Sequence, residues 1–120
     1  MRKALIPAAA VTALLVAAPL AAPAAVSRKA TIRESEFKLK PKKVTLRHGR
    51  VTITLRNTGR FPHALAVEKG GKGGKDLKSR TVQPGKTVKF TTTLKKGKFE
   101  IYCPIDHHKQ MGMTGSLTVR

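Results

Sequence analysis

Cysteine occurs once in the 120-residue chain, as Cys103, and tryptophan does not occur at all. One thiol rules out an internal disulfide framework, a zinc ribbon and any site that needs two thiolates. Aromatic residues are almost as scarce. Phe37, Phe61, Phe90, Phe99 and Tyr102 are the full set, so the core has to be built from Val, Ile and Leu. Without interleaved aromatics there is no stacking platform for single strands, and no nucleic acid partner is expected. Acidic residues number 6 against 25 Lys and Arg. Paired catalytic carboxylates, a Ser-His-Asp order and a cofactor glycine motif are all missing, so the chain reads as a non-enzyme. Gly70-Gly71-Lys72-Gly73-Gly74-Lys75 lacks the spacing before a Lys-Ser/Thr pair and the strand-to-helix context of a phosphate loop. It reads as a solvated hairpin loop.

What is present is unevenly distributed. Residues 1–25 hold 19 of the 48 apolar residues, and the rest keeps 23 basic and 6 acidic residues, a formal charge of +17. Met1-Arg2-Lys3 is followed by an uncharged Ala/Leu/Val run from Ala4 to Val26, and Ala22-Pro23-Ala24 is a small-x-small cleavage pattern. That layout is a secretory signal over residues 1–25, leaving residues 26–120 as the exported domain. The rival reading is an uncleaved anchor. Alanine contributes little transfer energy, however, and Pro7, Pro19 and Pro23 interrupt the run. No Cys lies near the cleavage region to carry a lipid, and no twin-Arg pair precedes the run. The expected destination is periplasmic, extracellular or cell-envelope, reached unfolded, with any metal acquired there. In an oxidising compartment the lone thiol must be buried or metal-bound to survive.

The exported part reads as short strands. Val51, Ile53 and Leu55 alternate with Thr52, Thr54 and Arg56, and Val88, Phe90 and Thr92 repeat that period. Leu65 and Val67 continue the parity of His63. Phe99, Ile101 and Cys103 share one face, Lys98, Glu100 and Tyr102 the other, and Leu117 and Val119 close the chain. Turn signals separate them at Gly49, Asn57-Thr58-Gly59, Gln83-Pro84-Gly85 and Lys95-Lys96-Gly97. Six or seven such strands without a helical period predict an all-β antiparallel sandwich or barrel.

The chemistry is concentrated in residues 103–115, Cys-Pro-Ile-Asp-His-His-Lys-Gln-Met-Gly-Met-Thr-Gly. A thiolate, two imidazoles and two thioethers together form a donor set for copper. Cys103 ends a strand facing inward, and the loop beyond it can bring His108 and Met113 to the same point. His48 and His63 are the candidates for the remaining ligand. His63 shares the inward parity of Leu65 and Val67, whereas His48 lies in a Gly-flanked turn among arginines and reads as a surface residue. Two imidazoles, one thiolate and a weak axial thioether make the trigonal blue-copper arrangement.

Over residues 30–120 the chain resembles small blue-copper cupredoxins of the plastocyanin type. Asn57-Thr58-Gly59-Arg60-Phe61-Pro62-His63 resembles their first-ligand segment, and Tyr102-Cys103, His108 and Gly112-Met113-Thr114-Gly115 resemble their C-terminal ligand loop. Gln83-Pro84-Gly85 and the segment from Gly97 to Cys103 sit where that family has a turn and its last inner strand. The resemblance implies a Greek-key β-sandwich. It also implies one copper ion held by His63, Cys103 and His108 as strong ligands and Met113 as a long axial one. Met111 is the alternative axial thioether and His107 a competing imidazole, expected at the surface because neighbours in an extended segment point apart. The amides of Ala64 and Ile105 are candidate donors to the sulfur, and Ala64 stands where the family often has Asn. Asp106 reads as a loop carboxylate pairing with Lys109.

The function expected from this set is an exported one-electron carrier that passes its electron through the His108 edge. The alternative is extracytoplasmic copper handling, with His107, Met111 and Met113 as an exchangeable mouth. A polyanion-binding module with an incidental copper shell is the third reading. The lysines fall on polar faces and in loops, so the charge reads as a docking field. Its targets would be a redox partner with an acidic surface, or the anionic envelope, with the carrier acting as a monomer.

Overall fold

The computed structural model describes residues 3–5, 7–16, 26–68 and 76–120. The expected cleavage region and the 70–75 loop lie outside the described residues. Among the described residues no helix is long and apolar enough to cross a membrane. The described residues form nine strands: β1 (Lys29–Ser35), β2 (Lys38–Lys40), β3 (Lys43–Leu46), β4 (Gly49–Asn57), β5 (Ala66–Glu68), β6 (Leu77–Lys78), β7 (Thr87–Leu94), β8 (Gly97–Tyr102) and β9 (Thr114–Val119). They form two sheets, ordered β2-β1-β4-β7 and β3-β9-β8-β5-β6.

Alternation explains most of these strands. In β4 the β-branched and leucine positions Val51, Ile53 and Leu55 are fully buried, while the threonines between them are half exposed. The same parity buries Ile101 in β8 and Leu117 and Val119 in β9. As the scarcity of aromatics requires, the core is aliphatic, and Phe37, Phe90 and Phe99 only pack against its margin. Burial of about ten such side chains, at ~1.5–3 kcal/mol each, is the main force holding the sheets face to face.

Pairing departs from the all-antiparallel expectation. β1 runs parallel to β4, with Ile32 opposite Leu55, and β3 runs parallel to β9, with Val44 opposite Leu117. Parallel neighbours need a crossover connection rather than a hairpin. The chain supplies one by leaving the first sheet after β2, visiting the second as β3, and returning as β4. Where β9 passes Lys42 the backbones approach so closely that a Cβ on Gly115 would lie 2.3 Å from the Lys42 carbonyl oxygen.

Three connections meet at one end of the sandwich: the β1–β2 turn at Glu36-Phe37, the β4–β5 segment, and the loop between β8 and β9. His63 contacts both Glu36 and His108, and the Phe37 ring meets His108 edge-on at 5.1 Å between centroids.

Candidate metal centre

Cys103 is the residue after β8, and the strand's alternation carries its side chain into the core, where it is fully buried. Its amide donates to the Met113 carbonyl at 3.1 Å, closing the loop at its base. Inside the loop the chain winds tightly. His108 N donates to Ile105 O at 2.8 Å, and both Met111 N and Met113 N donate to His108 O at 3.1 Å. Asp106 and His107 adopt left-handed backbone with φ of 40° and 60°. This turn, rather than an extended segment, buries His108 and leaves His107 exposed. The exposure expected for His107 is observed, but through a different geometry.

His63 lies on the segment between β4 and β5, and β5 pairs with β8 so that Ala66 faces Tyr102. The expected alternation from His63 through Val67 does not occur, because all five residues from His63 to Val67 are buried. The strand proper begins only at Ala66, and His63 is tied instead by a two-way backbone bridge to Val82, at 3.1 and 2.7 Å. Buried Asn57 organises this segment. Its side-chain nitrogen donates to Phe61 O at 2.7 Å and Val82 O at 2.8 Å, and its oxygen accepts from Gly59 N at 2.9 Å.

The donor atoms converge. His63 Nδ1 and His108 Nδ1 are 3.2 Å apart, and Cys103 Sγ lies 3.9 Å from the first and 3.5 Å from the second. The point equidistant from all three lies about 2.1 Å from each, within the ~2.0–2.3 Å at which imidazole nitrogen and thiolate sulfur bind a first-row divalent ion. Met113 is fully buried, and its main chain is bonded to both Cys103 and His108. A thiolate and two imidazoles around such a point, with a buried thioether on the same loop, fit one copper ion. Met111 is 55% exposed and points out of the cluster. His48 is elsewhere, its Nδ1 2.8 Å from the Arg120 carbonyl oxygen.

Burial raises the Cys103 thiol above its ordinary range, and the amides of Ala64 and Ile105 act against that rise. The Ala64 amide donates to the sulfur at 3.4 Å, as expected from the sequence. Burial also lowers the His63 imidazole, with its Glu36 hydrogen bond pulling the other way. Neutral imidazole is the form that binds metal.

Two acidic residues were not foreseen. Glu36 Oε1 accepts from Arg60 N at 2.7 Å, Phe61 N at 2.9 Å and His63 Nε2 at 3.1 Å. The amide bonds, that of Phe61 first, hold its carboxyl down at about 2. Glu34, two residues earlier, is fully buried, and neither of its carboxyl oxygens has a hydrogen-bond partner among the described residues. Desolvation pushes it up to about 8. The signal for both was a carboxylate in a chain that has only six.

On the outer face Lys109 packs over the Tyr102 ring at 4.3 Å and pairs with Glu100 at 3.2 Å and Glu68 at 4.0 Å. These acids, rather than the expected Asp106, anchor the loop to the sheet. Glu68 and Glu100 are themselves cross-strand neighbours, which places two carboxylates within reach of one lysine.

Comparison with known proteins agrees with this geometry. The family model described as a cupredoxin-like domain matches residues 6–119. No curated protein matches the chain. Among solved structures, dithionite-reduced auracyanin from the photosynthetic bacterium Roseiflexus castenholzii is 23% identical, with a TM-score of 0.69 over 79% of this chain and 98% of that one. A purple cupredoxin from Nitrosopumilus maritimus is 20% identical, with a TM-score of 0.57 over 76% of this chain and 99% of that one. Auracyanin B is 16% identical with a TM-score of 0.68, over 77% of this chain and 88% of that one.

Proposed function

Because the chain belongs to the cupredoxin-like family, whose members are copper-containing electron carriers, we propose that it is an exported, monomeric one-electron carrier. His63, Cys103, His108 and Met113 would hold the copper ion. The observation that carries this reading is the convergence of two Nδ1 atoms and one sulfur, all buried, on a point at metal-bond distance. When bound, copper supplies a one-electron couple between its cuprous and cupric states.

The protein's part is to hold the donors still. The Cys103–Met113, His108–Met113 and His63–Val82 backbone bonds fix each ligand from its own main chain, so little rearrangement accompanies a change of charge. Of the four ligands, His108 alone reaches the surface, at 6% exposed, which makes its ring edge the electron port. Phe61 and Met111, each 55% exposed, belong to the two loops that carry the ligands and give the port an apolar rim.

Titrating the protein with cupric ion tests the reading. An intense thiolate-to-copper absorption at one equivalent, with reversible voltammetry, is the expected result. Tight cuprous binding without that band, or rapid loss to a chelator, would instead support copper handling through the exposed His107 and Met111. The lack of any copper binding would overturn both.

The surface charge has a separate role. Lys38, Lys40, Lys42, Lys43, Lys86 and Lys89 are exposed, as a docking field requires. We assign this field to an acidic redox partner or the anionic envelope. Association should weaken steeply between low salt and ~0.15 M, where the screening length falls to about 8 Å. Electron-transfer rates indifferent to ionic strength would remove that role.

A further inference from the structure

The β1–β2 turn meets the metal centre twice, through the Phe37 ring on His108 and through the Glu36 carboxylate on His63. A carboxylate without a proton can only accept, so the 3.1 Å contact with His63 Nε2 requires the ring proton to be on Nε2. The neutral ring then has its lone pair on Nδ1, the atom that faces Cys103 and His108. The other two bonds to Glu36 Oε1 come from Arg60 N and Phe61 N, within the segment that carries His63. The carboxylate therefore fixes the ligand's ring and its main chain together.

Gly59 shows that the seat is shaped for this group. A Cβ there would lie 2.2 Å from Glu36 Oε1 and 2.7 Å from its carboxyl carbon, so what it meets first is the end of a side chain. A side chain at position 59 would displace the carboxylate and leave the fold in place.

We propose that Glu36 is a positioning residue for His63, selecting the tautomer that presents Nδ1 and biasing bound copper toward its cupric state. This rests on the reading of His63 as a copper ligand. A full negative charge hydrogen-bonded to the far side of the imidazole makes the ring a stronger donor, and it favours the more highly charged ion. The chain spends one of its six carboxylates on this contact, against a formal charge of +19.

The test compares the protein with Glu36→Gln and Gly59→Ala. Glutamine keeps an oxygen that can accept from Nε2 but removes the charge, and Gly59→Ala keeps the charge but moves it. Both variants should fold and keep the thiolate-to-copper band. In Glu36→Gln the preference for cupric over cuprous ion should fall about tenfold or more, read as a rise in reduction potential of roughly 59 mV. Gly59→Ala should shift the potential in the same direction. Potentials equal to the parent's in both variants, with band and fold intact, would overturn the proposal while leaving the carrier reading untouched. Nitrogen-15 spectra of the metal-free parent give a readout that needs no copper. A proton on Nε2 of His63 is expected, and a proton on Nδ1 would overturn the proposal even if the protein bound no copper at all.

Discussion

Raising the pH from about 5 to about 9 should cost the metal-free protein on the order of 5 kcal/mol of folding stability, and Glu34→Leu should abolish that loss. Glu34 lies on the inward face of β1 with Ile32, fully buried, with no partner for either carboxyl oxygen among the described residues. Its folded-state value of about 8 stands above the ordinary 4.5. A raised carboxyl favours the folded state fully below the unfolded value. That advantage erodes as the pH rises and is gone above the folded value. The window is therefore roughly pH 4.5 to 8, and the slope is about 1.4 kcal/mol per pH unit. Against a total stability of ~5–15 kcal/mol, such a loss is large. Leucine removes both the ionisation and the unpaired polar atoms, so the variant should gain little near pH 5 and several kcal/mol near pH 9. Chemical denaturation of parent and variant at each pH checks this, and contributions common to both, such as those of Glu36 and His63, cancel in the difference. A difference between parent and variant that stays constant across that range would show that Glu34 is solvated or partnered.

Cys103→Ser should eliminate the thiolate-to-copper absorption outright and weaken copper binding by more than the ~10–100-fold typical of losing an outer hydrogen-bond partner. Serine retains the small volume of the site but offers a hard hydroxyl, which is a poor donor for copper and stays protonated near neutrality. Burying that hydroxyl beside the Ala64 amide costs the metal-free fold only about 1–3 kcal/mol, since the amide supplies one hydrogen bond. Loss of the band with a retained circular dichroism spectrum is the expected pair of results. A variant that kept the intense band would overturn the assignment of that band to a thiolate, since the chain has no second thiol.

The sequence exposed the local part of this centre and hid the part made by tertiary closure. Cys103, His108 and Met113 fall within eleven residues, and a soft donor set in one loop is readable from spacing. His63 was readable from its motif and from its parity with Leu65, although the strand that parity suggested begins only at Ala66. β1 was harder to see, because its inward positions hold Glu34 as well as Ile32 and so break the apolar alternation. Its parallel pairing with β4 depends on a crossover that no local pattern encodes. Glu36 was invisible for a related reason. It lies 27 residues before His63, and its seat depends on the absence of a side chain at Gly59. His107 was placed correctly at the surface by a rule for extended chain that does not apply to its left-handed turn.

The donors also differ in when they can meet. Cys103 and His108 are five residues apart on a hairpin loop, whereas His63 is 40 residues from Cys103. Closing a loop of that length costs a disordered chain about 4 kcal/mol of entropy. An unfolded chain thus offers a loose C-terminal clamp of Cys103, His108 and Met113, and His63 joins only once β5 pairs with β8. Ligation by His63 is therefore a late, all-or-none reporter of folding. In a denaturant titration, release of His63 and collapse of the sandwich should coincide, and any copper still held beyond that midpoint sits on the hairpin alone.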